Sequence, residues 1–143
     1  MKHLVFVSLI TTFTAGAAAA ETAFCRVDLE KTRATENFVA GKGAQTPGTE
    51  TLYLEAVRAV PEKGPGAQTF CDRVLSSTVS INAWRQRLPE DVVSDLDGGG
   101  VASGVVWYQD RMPGKYLHPE YRHMMMIESG AAPFTLEGMY IGD

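Results

Sequence analysis

Arg26 and Asp28 stand two residues apart, Ser76, Ser77 and Thr78 form a hydroxyl run, and Glu120 precedes His123 by three positions. An arginine is a planar, permanently charged donor fork that suits phosphate. A cluster of hydroxyls can order a neighbouring strand or loop. A carboxylate can hold a ribose and stabilise an oxocarbenium-like transition state, and an imidazole beside it can move protons. In this order along the chain, these are the parts a clamp for a nicotinamide dinucleotide needs, with NAD as its substrate.

The elements that must position them are partly readable. Ala23, Cys25, Val27 and Leu29 alternate with Phe24, Arg26 and Asp28, which predicts a strand. Residues 35–40, followed by Gly41, read as a short helical turn. Residues 51–60 fit a strand face (Leu52, Leu54, Ala56) and a helix face (Leu52, Tyr53, Ala56, Val57, Val60) equally well. Two prolines and two glycines make residues 61–66 a loop. Residues 74–81 are β-branched and hydroxyl-rich and read as a strand, after which Ser80 or Asn82 caps a helix carrying Trp84 and Leu88. Pro89, Glu90 and Asp91 restart a helix that Gly98, Gly99 and Gly100 stop. Strands follow at 101–108, 124–127 and 134–141, with a turn at Met112, Pro113 and Gly114. The expected fold class is α+β, a mostly antiparallel sheet with a few short helices and one disulfide.

Residues 1–20 have the layout of a secretory signal peptide. Lys2 is their one charge, an apolar run spans 4–13, and Ala18 and Ala20 supply a small-residue cleavage site. The run is too short to span a bilayer, so the expected product is a secreted or periplasmic domain of residues 21–143. Cys25 and Cys71 are the only cysteines. In an exported chain such a pair reads as a disulfide, here worth roughly 3–4 kcal/mol through closure of a long loop. The net charge is −4, and one unit more negative without Lys2. That argues against a nucleic-acid partner, which needs a basic face.

Read together, the islands resemble the ADP-ribosyltransferase A subunits of the cholera and pertussis toxin type. The resemblance rests on Cys25-Arg26-Val27-Asp28, on Leu52-Tyr53-Leu54-Glu55-Ala56, and on Leu75-Ser76-Ser77-Thr78-Val79-Ser80. It continues in His118-Pro119-Glu120 and in Leu136-Glu137-Gly138-Met139-Tyr140. It implies an ADP-ribosyltransferase-like fold, a helix at 51–60, and transfer of ADP-ribose from NAD to a protein acceptor, with a carrier subunit as a further partner. In that scheme Arg26 and Asp28 contact the dinucleotide, and Ser76, Ser77 and Thr78 order the cleft. The family's Glu-x-Glu is replaced here by Tyr121-Arg122-His123 or, with one residue of slippage, by Arg122-His123-Met124. Glu120 is then the candidate catalytic acid with His123 beside it, and the site is either active through that shifted acid or catalytically degenerate.

Plainer readings stand beside this one. Arg26 can pair with Asp28 or Glu30 on a solvated strand, and the hydroxyl run can be an exposed edge. Trp107, Tyr108, Tyr116 and Tyr121 can stack on a base or pack the sheet. The leading alternative function is a non-enzymatic exported module that binds a protein or carbohydrate. Periplasmic copper binding through His123 and Met125 ranks third. Met124, Met125 and Met126 otherwise read as gap-filling core residues. No metal is expected, because His118, Glu120 and His123 lack a recognised zinc spacing.

Overall fold

The computed structural model describes residues 22–36, 50–82, 87–111, 118–130 and 132–143. Six strands, β1 (Phe24–Glu36), β2 (Glu50–Lys63), β3 (Thr78–Asn82), β4 (Val101–Tyr108), β5 (His123–Ile127) and β6 (Phe134–Gly142), close into a barrel. Helix α1 (Ala67–Ser76) lies between β2 and β3, and helix α2 (Glu90–Asp97) between β3 and β4. A 3-10 turn, Pro119–Tyr121, leads into β5.

Every pairing is antiparallel, in the order β1-β2-β3-β6-β5-β4, with β4 returning to β1. The wall is thus two three-stranded meanders, β1-β2-β3 and β4-β5-β6, joined along two seams: β1 with β4 and β3 with β6. Period-two alternation turns one face of each strand inward. Val27 and Leu29 of β1, Leu54 of β2, Val79 and Ile81 of β3, Val106 of β4, Met125 and Ile127 of β5, and Leu136 and Met139 of β6 are almost fully buried. Burying side chains of this size stabilises by roughly 1.5–3 kcal/mol each. Gly104 of β4 faces the same interior. A Cβ there would collide with the backbone carbonyl of Met126 and lie 2.9 Å from Met125 Cε, so only glycine lets β4 and β5 approach this closely.

The two helices sit at opposite ends. Phe24 is level with Lys63 and Trp107, Tyr108 pairs with His123, and Thr78 pairs with Gly142, so all of these mark the α1 end. Helix α1 buries Ala67, Phe70, Cys71 and Val74, a three-and-four spacing that places them on one face. Cys71 is disulfide-bonded to Cys25 inside the barrel, with Cα atoms 5.5 Å apart. Helix α2 buries Val92 and Leu96 into the same core. Its Asp91 carboxylate accepts hydrogen bonds from Ser129 Oγ at 3.0 Å and Gly130 N at 2.7 Å, tying α2 to the β5–β6 connection.

Strand β1 outruns its pairing with β4, while the β2 stretch alongside it stays paired with β3. The ladder between β1 and β4 ends at Glu30 opposite Val101, whereas β1 pairs with β2 as far as Glu36. In this overshoot Lys31 is ion-paired with Asp97 of α2, and the Arg33 guanidinium lies 3.9 Å from the centre of the Tyr53 ring.

The expected α+β, ADP-ribosyltransferase-like architecture is therefore corrected to a closed, all-antiparallel β-barrel with two short helices. The strand expected to start at Val74 is helical through Ser76 and extended only from Thr78. The helix implied at 51–60 is part of one long strand, and the loop expected at 61–66 begins only after Lys63. Thr35 and Glu36 end β1 and do not open a helical turn. That expected turn's remaining residues, the segment read as a signal peptide, Trp84 and the turn at 112–114 lie outside the described residues. Among the described residues, no helix is long and apolar enough to cross a membrane.

Candidate functional site

At the α1 end the barrel mouth is a pocket of about 560 Å³. Arg73 and Ser77 line it from the end of α1, and Tyr108 from the end of β4. Pro119 and Glu120 of the 3-10 turn, His123 at the start of β5, and residues 140–143 complete it. Each is there for a local reason. The disulfide and the buried face of α1 hold that helix across the mouth, which carries Arg73 to the rim. Ser77 ends the helix, donating its hydroxyl to the Arg73 carbonyl at 2.6 Å. Tyr140 is braced by the Tyr121 ring, with centroids 5.1 Å apart.

His123 is the centre of the arrangement. It points inward and is only 3% exposed. Its Nδ1 lies 3.0 Å from the Glu120 carbonyl oxygen, which can only accept, so Nδ1 carries the proton. Its Nε2 is left with a lone pair, which faces Arg73 Nη2 at 3.4 Å. The ring stacks on Phe70 (centroids 6.1 Å, planes 8° apart) and meets the Tyr108 ring edge-on at 5.3 Å. Burial, and then the Arg73 charge, hold its pKa below the ordinary 6.5, while the Glu120 carbonyl pulls the other way. The imidazole is therefore neutral at pH 7 and offers the pocket no proton of its own.

Opposite charges line this pocket without closing on one another. Arg73, Glu120 and Asp143 are all exposed. Among the described residues, no ion pair joins Arg73 to either carboxylate or to any other.

Of the residues singled out from sequence, the structure brings Ser77, Glu120 and His123 together here. It places Arg26 and Asp28 on the outer wall, since Cys25, Val27 and Leu29 take the inward positions of β1. Arg26 is ion-paired with Glu128 at 2.6 Å and Glu62 at 3.6 Å, partners that push its pKa further up. Asp28 accepts a hydrogen bond from Ser103 Oγ at 2.6 Å and lies 3.9 Å from Arg58. Ser76 is exposed, its hydroxyl bonded to the Arg73 carbonyl at 3.1 Å, and Thr78 is exposed on the wall. His118 is exposed at the start of the 3-10 turn.

Arg73 and Asp143 are the charged site residues that sequence reasoning missed, and Arg73 could have been found. The signal was available: Phe70, Cys71 and Val74 have helical spacing, and Arg73 stands two residues after a cysteine expected to be bonded to the first strand. Met125 shares the inward face with His123, as a copper pair would require, but the nitrogen that would bind the ion already faces a guanidinium. Among the described residues, no group of three or more His, Cys, Asp or Glu could hold a metal ion.

No family model, curated protein or solved structure matches this chain. The functional reading accordingly starts from the pocket.

Proposed function

We propose that this protein is a non-enzymatic binding module, of an exported type, that takes a small polar ligand in the pocket at the α1 end of its barrel. The observation that carries this reading is the group of charged and aromatic side chains around a neutral, immobilised His123. The volume of about 560 Å³ falls within the span of small-molecule sites, roughly 300–1,000 Å³. A rim of Arg73, Tyr108, Glu120 and Tyr140 gives orientation, and the disulfide-tethered helix holds one side of the site in place, which lowers the cost of binding.

The transferase expectation draws no support from this arrangement. It needs Arg26 and the hydroxyl run in one cleft, whereas Arg26 is paired with two carboxylates on the outer wall.

Two measurements test the proposal on the oxidised protein. A panel of small polar metabolites should contain compounds that raise the melting temperature and shift the His123 ring resonances, with both effects lost in Arg73→Ala. Incubation with NAD should release no nicotinamide. A panel without a binder would overturn the reading. So would nicotinamide release that collapses in Glu120→Gln, because it would establish a working shifted acid.

A further inference from the structure

We infer that the ligand is a zwitterion of the amino acid or dipeptide class, its carboxylate on Arg73 and its ammonium toward Glu120 and Asp143. This rests on the pocket being a ligand site, and it follows from the charges and protons that the site has free. Arg73 lends one nitrogen to His123 Nε2 at 3.4 Å, and among the described residues the rest of its donor fork has no acceptor, a shape that matches a carboxylate. His123 has given its proton to the Glu120 carbonyl, and Ser77 has given its proton to the Arg73 carbonyl, so both have only acceptor capacity left.

Among its described lining residues the pocket therefore holds one cation and two carboxylate side chains, Glu120 and Asp143. A pure anion such as phosphate would gain Arg73 and be opposed by both carboxylates, with no second cation among the described lining residues to offset them. A pure cation would gain the carboxylates and be opposed by Arg73. A molecule carrying both charges satisfies both sides. Opposite charges that face one pocket without pairing leave room between them for such a molecule. Tyr108 and Tyr140 supply aromatic walls, and Ile141 adds apolar surface for its side chain.

The test uses the oxidised full chain, isotope-labelled, with His123 and tyrosine ring signals as the readout. The probes are the proteinogenic L-amino acids and a set of dipeptides at millimolar concentration. The best binder is then compared with its N-acetyl form, which lacks the ammonium, and its amide form, which lacks the carboxylate. The expected result is a loss of affinity of roughly tenfold or more for each blocked form. Arg73→Gln should erase the penalty for the amide form, and Glu120→Gln or Asp143→Asn the penalty for the N-acetyl form. Both carboxylates are exposed, so these variants keep the fold.

Blocked forms that bind as well as the parent would overturn the zwitterion and leave the pocket a ligand site. The zwitterion falls in the same way if no amino acid or dipeptide binds but another metabolite in the broader panel does. Silence from every probe in both panels would remove the ligand site itself.

Discussion

His123 sets the most informative condition at the scale of single residues. Its pKa is held below 6.5 in the folded protein by burial and by Arg73, and it returns toward 6.5 when the chain unfolds. Between those two values the unfolded chain binds a proton that the folded protein does not. Stability is therefore full above about pH 6.5 and falls as pH drops through this window. The carboxylate of Asp91 is also shifted downward, chiefly by the Gly130 amide, and its window opens only below 3.8. The urea midpoint should decline from about pH 7.5 to about pH 5, and His123→Asn should flatten that decline. A variant as steep as the wild type would assign the effect to another group. Ser77, Glu120 and His123 were legible because hydroxyl, carboxylate and imidazole announce their chemistry by type. Arg26 announced itself in the same way, yet it stands on the outer wall away from the pocket. The two carboxylates that occupy it, Glu62 and Glu128, come from β2 and from the end of β5, and only the register of the wall brings them alongside.

Among the elements, α1 decides whether the pocket exists, since it contributes Arg73 and the Phe70 surface under His123. Its tether closes 46 residues of chain. Replacing both cysteines by alanine should cost roughly 3–4 kcal/mol in urea unfolding and broaden the His123 ring signals as α1 loosens over the mouth. A loss below about 1 kcal/mol would show that the packed face of α1 holds it without the bond. Strands β4, β5 and β6 were readable because each is a short run bounded by glycine, proline or polar turns. Helix α1 was not, because its buried Val74 is followed by Val79 and Ile81 of β3, and the apolar run conceals the change of period at Ser77. Pro61 looked like a loop residue for a sound reason, as it cannot donate to a ladder. It is tolerated in β2 because β2 pairs with β3 only over Thr51–Leu54, and beyond that stretch its far side has α1 as a neighbour.

For the whole molecule, closure was the property least visible in the sequence. Alternation tells which side chains of a strand face inward and is silent on which strand lies beside it. The β1–β4 seam joins residues 24–30 to residues 101–107, and no local pattern records that pairing. The disulfide did place Cys71 correctly against the first strand, and it was the one long-range relation the sequence disclosed. Closing the wall also has a colloidal consequence. A sealed barrel offers no backbone template to a foreign strand, but β1 beyond Glu30 leaves the wall with β2 as its ladder partner among the described strands. Lys31 and Arg33 stand on that stretch. Replacing both with valine should make the sedimentation coefficient rise with concentration beyond that of the wild type, with pocket binding intact. A variant that sediments like the wild type would assign the protection to α2, whose Asp97 holds Lys31. The stretch of β1 past Glu30 is thus the place where this chain would first recruit copies of itself, and two cations stand guard over it.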